Sequence, residues 1–152
     1  MTDRLPAALL ALVVAVLAWS GLGPKDRGTW LMEVAPVLLV VPVLIATRRR
    51  FPLTSLLYVL VALHAIVLCV GGHYTYAEVP AGFWFRDALG LARNHYDRVG
   101  HFMQGFVPAL AARELLLRTS PLRRGRWLAA LVTCVALAIS AAYELVEWLA
   151  AV

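Results

Sequence analysis

Five apolar runs, over residues 5–22, 31–47, 53–70, 99–117 and 128–150, decide what this chain can fold into. Each approaches the about 17–25 residues that a helix needs to cross a hydrocarbon core about 30 Å thick. In that solvent every backbone N–H and C=O must find its partner inside the segment, which selects helices. The first run is longer than the about 7–15 residues of a signal-peptide core, and no A-x-A cleavage site follows it. It reads as a retained first helix. Hydrophobic residues make up 62% of the chain and charged ones 15%. Soluble domains average about 45–50% and about 25%. The expected fold class is therefore all-α: one polytopic transmembrane bundle spanning residues 1–152, with about five spans.

The net charge of +5 raises nucleic acid as a partner. The arginines, however, sit in short loops between apolar runs, so membrane topology accounts for them and no nucleic acid is expected. Arg48, Arg49 and Arg50 follow the second run, and Arg118, Arg123, Arg124 and Arg126 follow the fourth. Both loops fall on one side, which the positive-inside rule makes cytoplasmic, together with the N-terminus. The connection over residues 71–98 then faces outward, as expected for a multi-pass protein of a bacterial inner membrane. Its aromatic stretch from Phe83 onward, next to Arg86 and Asp87, predicts a short helix lying in the interface. Gly71 and Gly72 are expected to end the third helix. Pro36 and Pro42 each remove a backbone donor inside the second and predict a bend there. Cys69 and Cys134 lie in apolar runs without metal-ligand spacing and read as buried thiols.

The polar residues are few and placed unevenly. Arg93-Asn94-His95-Tyr96-Asp97-Arg98 runs directly into Gly100-His101-Phe102. By the topology above, His73, Glu78, His95, Asp97, His101, Glu144 and Glu147 all fall at the outer leaflet. Asp97 and His101 are four apart and Gln104 continues their face; Glu144 and Glu147 are three apart on the last helix. An ionised aspartate at a helix centre costs about 2.5–3.5 kcal/mol to insert. Such residues are therefore expected to find partners, protons or water. Glu33 admits two readings, an acid at the water interface or one facing inward. His64, near the middle of the third run, reads first as a packed, hydrogen-bonded residue.

Four roles fit this set. His95, His101, Glu144 and Glu147 offer the nitrogen and oxygen ligands of a divalent metal ion, the one cofactor these residue types invite, although no H-E-x-x-H spacing is present. Metal-free acid–base chemistry would use His101, Asp97, Glu144 and Glu147, with Arg93 and Arg98 holding an anion and His73, Glu78, Asn94 and Gln104 contacting the substrate. Chains of Asp, Glu and His also relay protons in transporters. Finally, the cluster could do no more than fix helix packing. The expected partners are the lipid bilayer and a lipid or lipid-linked headgroup. Nothing in the sequence sets an oligomeric state.

Several segments together resemble the YjdF-like family of bacterial inner-membrane proteins. They are Gly72-His73-Tyr74-Thr75-Tyr76-Ala77-Glu78-Val79-Pro80, the Arg93–Phe102 stretch, Gln104-Gly105-Phe106-Val107-Pro108, and Tyr143-Glu144 with Glu147-Trp148. The resemblance covers most of the chain from the third helix onward. It implies a membrane location and this choice of site residues, not a chemistry. Members usually continue past the glutamate helix into an aspartate-bearing segment and another hydrophobic helix, which implies that this chain is a short or truncated form. A looser similarity, through Asp97-Arg98-Val99-Gly100-His101 and the Glu144/Glu147 pair, is to VanZ-like membrane proteins, which are associated with glycopeptide resistance at the cell envelope.

Overall fold

The computed structural model describes residues 4–151, with side chains for residues 4–149. Its regular elements are all helical: α1 (Arg4–Ser20), α2 (Arg27–Thr47), α3 (Ser55–Tyr74), a 3₁₀ turn (Tyr76–Glu78), α4 (Pro80–Leu89), α5 (Tyr96–Thr119) and α6 (Arg126–Ala151). Among the described residues three helices are long and apolar enough to cross a membrane: α2 with 21 residues, α3 with 20, and 24 residues of α6. At 1.5 Å per residue each reaches about 30 Å or more. α1 is apolar but shorter. α5 is long, with Asp97 in its first turn and Arg118 in its last.

The local sequence explains where these helices start and stop. Asp26 adopts an extended conformation before α2, and its carboxylate accepts the Thr29 N–H at 2.6 Å. That satisfies one of the donors left over at any helix N-terminus. Thr54 caps α3 in the same way, accepting from the Leu57 N–H. α4 opens on Pro80, whose missing N–H costs nothing there, and closes on Gly90 in the left-handed region at φ +63°. α2 runs on through Pro36 and Pro42.

The hydrogen bonds from Thr29 hold the Asp26 carboxyl below its ordinary value of 3.8. A carboxyl lowered by folding adds stability above its unfolded pKa and loses it as pH falls through the folded one. Wild type and Asp26→Asn are therefore expected to differ by a constant Tm above about pH 5. Wild type should lose ground to the variant as the pH drops below the unfolded value. Parallel melting curves of the two in detergent, from pH 7 to pH 3, check this.

Expectation and structure differ at Gly71 and Gly72. They do not end α3, which continues to Tyr74 and stops at Thr75, a non-glycine residue with φ +63°. The glycines serve close approach instead. A Cβ on Gly71 would lie 2.5 Å from the Tyr76 ring, and one on Gly72 3.0 Å from the Glu33 Cβ.

The helices group into two compact units, Met1–Gly100 and His101–Val152. In the first, α3 packs against both α1 and α2. Val13, Val34, Val37, Ala62, Ala65, Leu68 and Cys69 form its core. Cys134, in contrast, is exposed. In the second unit Val107, Ala112 and Leu128 are buried, while α6 exposes Leu137, Leu145, Val146 and Trp148. A water-soluble protein would pay heavily for that surface, whereas lipid accepts it. α4 likewise exposes Trp84, Phe85 and Leu89 beside Arg86, as an interfacial helix requires.

Candidate functional site

In the first unit, the end of α1, the start of α2, the end of α3 and the 3₁₀ turn meet. The Lys25 N–H donates to the His73 carbonyl at 2.9 Å, and the Lys25 ammonium pairs with Glu78. His73 Nδ1 lies 2.9 Å from the Ser20 carbonyl. A carbonyl only accepts, so Nδ1 carries the proton. The ring also packs on Trp19, tilted by 31° with centroids 4.5 Å apart. Ser20, fully buried, accepts from Trp30 Nε1 at 3.0 Å and donates to the Leu17 carbonyl at 2.9 Å. Glu33 is buried, which answers the two readings above in favour of the inward one.

Asn94 ties the outer connection together. Its Nδ2 donates to the carbonyls of Ala77 at 3.1 Å and Val79 at 3.0 Å, and its Oδ1 accepts the Tyr96 N–H at 2.9 Å. The amide sits against Gly82, where any Cβ would collide with Oδ1. The Tyr96 hydroxyl donates to the Val67 carbonyl of α3 at 3.2 Å. The Tyr76 ring packs on Tyr96 with centroids 5.7 Å apart and fills the space that a Cβ on Gly71 or Gly100 would occupy. Next to these bonded groups, His95 Nδ1 is buried without a hydrogen-bond partner. Arg93 and Arg98 are exposed, and Asp97 is half-buried.

In the second unit, the beginning of α5 meets the last third of α6. His101 Nδ1 lies 3.4 Å from Glu144 Oε1, with side chains 52% and 58% exposed. Glu147, one turn further along α6, is half-buried. Gln104 Nε2 is buried without a partner. Among the described residues no three His, Cys, Asp or Glu side chains gather so as to hold a metal ion.

The structure therefore brings His101 and Glu144 together, and separately joins His73, Glu78 and Asn94 to backbone or to Lys25. Sequence reasoning gave no site role to Ser20, Lys25, Tyr76 or Tyr96. Lys25 carries no local signal for its pairing with Glu78, 53 residues away, and the Ser20 carbonyl meets His73 across the same separation. Tyr76 carries no local signal either, since Gly100, one of the two glycines its ring packs on, is 24 residues away.

Comparison with known proteins gives the following. A family model described as "Predicted membrane protein (DUF2238)" matches residues 5–152. The chain is 60% identical over 136 residues to the Inner membrane protein YjdF of Escherichia coli (strain K12), a match over 90% of this chain and 65% of that protein. The chain thus spans about two thirds of the length of the curated relative it matches. No solved structure matches.

Proposed function

The chain belongs to the DUF2238 family of predicted membrane proteins, and from that premise we propose that its polar residues recognise a lipid or lipid-linked headgroup. It is an integral, multi-pass protein of the inner membrane. The arginine-rich loops and the N-terminus lie on the cytoplasmic side in this reading, and residues 71–98 and the far end of α6 lie outside.

One observation carries the proposal. The His101–Glu144 pair is more than half exposed, at 3.4 Å, where two helix ends meet. An exposed ion pair contributes only about 0–1 kcal/mol, too little to account for the pair by helix locking. An accessible imidazole beside a carboxylate can take a proton from a headgroup hydroxyl or amine, with Glu144 orienting the ring. Glu147 lies within one turn to share that proton. Asp97 and Arg98 in the first turn of α5, and Arg93 in the connection before it, enter the reading through their sequence positions. The structural alternative is favoured for His73 and Asn94, whose hydrogen bonds go to backbone.

His101→Ala and Glu144→Gln are expected to melt within about 1 kcal/mol of wild type, because an exposed pair adds little. They are also expected to lose at least tenfold in retention of a polyprenyl phosphate added to the purified protein in detergent. Unchanged retention in both folded variants would remove the proposal. A cysteine at position 98 should react with a membrane-impermeant maleimide from outside the cell, and one at position 124 should not.

A further inference from the structure

The first unit also holds an apolar groove, in the part of α3 that carries His64. α1, α2 and α3 line it with Leu9, Leu44, Ile45 and Ala62, and Arg48 and Tyr58 stand among them. It offers about 100 Å³ of free space. One water needs only about 10–15 Å³, so the groove takes a stretch of alkyl chain. Water has nothing to gain there, because the lining is almost wholly aliphatic.

Arg48 is the polar feature that gives this groove a preference. It follows α2 as its C-cap, and its N–H donates to the Leu44 carbonyl. Its side chain is exposed. Among the described residues no carboxylate pairs with it. Residues 34–77 contain three arginines and no acid, so no counter-charge comes from the neighbouring sequence. A guanidinium left unpaired beside a greasy slot is complementary to one kind of molecule, an anion carrying a hydrocarbon tail. The Tyr58 hydroxyl, which accepts the Leu53 N–H at 3.3 Å, adds a second polar group to the lining.

We propose that this groove binds an anionic glycerophospholipid, with an acyl chain along Leu9, Leu44 and Ala62 and the phosphate on Arg48. Guanidinium–phosphate hydrogen bonds are among the strong ones, and basic pockets between transmembrane helices are suited to anionic headgroups. The site is independent of the His101–Glu144 pair and stands or falls apart from it.

The test uses the full chain purified in detergent, with phosphatidylglycerol and phosphatidylcholine of identical acyl chains as probes. Phosphatidylglycerol should stay bound in native mass spectrometry and raise the Tm, and phosphatidylcholine should do so about tenfold more weakly. Arg48→Gln should lower phosphatidylglycerol affinity about tenfold, the loss of one charge-assisted contact. Arg49→Gln, which removes the same charge one residue away from the groove, should change it by less than about threefold. Equal binding of the two lipids, or equal losses in the two arginine variants, would overturn the site in favour of diffuse attraction. A benzophenone amino acid replacing Ile45 gives an independent readout. Cross-linking to phosphatidylglycerol acyl chains in wild-type background and its reduction by Arg48→Gln support the groove, and cross-linking that ignores Arg48 overturns it.

Discussion

Gly71→Ala is expected to destabilise the protein by about 3 kcal/mol, a cost at the upper end of overpacking in a close-packed interior. The reason is geometric. The new Cβ would lie 2.5 Å from the Tyr76 ring, and a Cβ on Gly100 would lie 2.6 Å from the same ring. Tyr76 is therefore held between the backbones of α3 and α5, and it cannot yield to one without pressing on the other. An alanine in a helix interior otherwise gains about 1 kcal/mol over glycine, so the observed loss would come net of that gain. Gly100→Ala should behave alike. Gly105→Ala, where a Cβ meets nothing within 4 Å, should be neutral or slightly stabilising. The decisive measurement is the double variant. Tyr76→Ala should cost a few kcal/mol alone, as aromatic truncations do, and adding Gly71→Ala to it should cost nothing further. If the two losses simply add in detergent unfolding curves, the ring is not what forbids a side chain at position 71.

How much of this was written in the sequence depends on the range of the interaction. Helix existence was legible, because an apolar run of membrane length has one way to satisfy its backbone. The short helix α4 was legible too, from a turn at Pro80 followed by exposed aromatics beside charge. The end of α3 was not. Glycine marks both a helix stop and a place of close approach, and only Tyr76 and Glu33 on neighbouring segments distinguish the two. Asn94 was read as a substrate contact because it sits beside two histidines and two arginines. Its amide instead closes the turn by reaching carbonyls 15 and 17 residues away. His101 and Glu144 were expected at one membrane depth by counting spans, and they lie 3.4 Å apart. Two consecutive helices joined by a short loop can bring the start of one near the end of the other. The same counting could not say which of the remaining acids would have partners. Lys25 reaches Glu78 across 53 residues, a pairing that no periodicity announces.

Gly82→Ala, the second large effect, is expected to cost about 3 kcal/mol by acting through Asn94. Its Cβ would occupy the position of Asn94 Oδ1, so the amide must leave. Leaving breaks three hydrogen bonds, to the Ala77 and Val79 carbonyls and from the Tyr96 N–H. Each contributes about 1 kcal/mol net. Asn94→Ala should therefore cost nearly as much, and the double variant hardly more than either, a coupling well above the about 0.3–0.5 kcal/mol expected of independent sites. Asn94→Asp separates hydrogen bonding from packing. It keeps the shape and the acceptor for Tyr96, yet it turns a carboxylate toward two carbonyl oxygens that need donors. It should be worse than Asn94→Ala at neutral pH and should recover as the pH falls and the new carboxyl gains a proton. Hydrogen exchange of the Tyr96 amide, measured beside the melting curves, shows whether the start of α5 frays first. Protection of that amide in Gly82→Ala would mean that Asn94 had kept its place, and the link between glycine and asparagine would have to be abandoned.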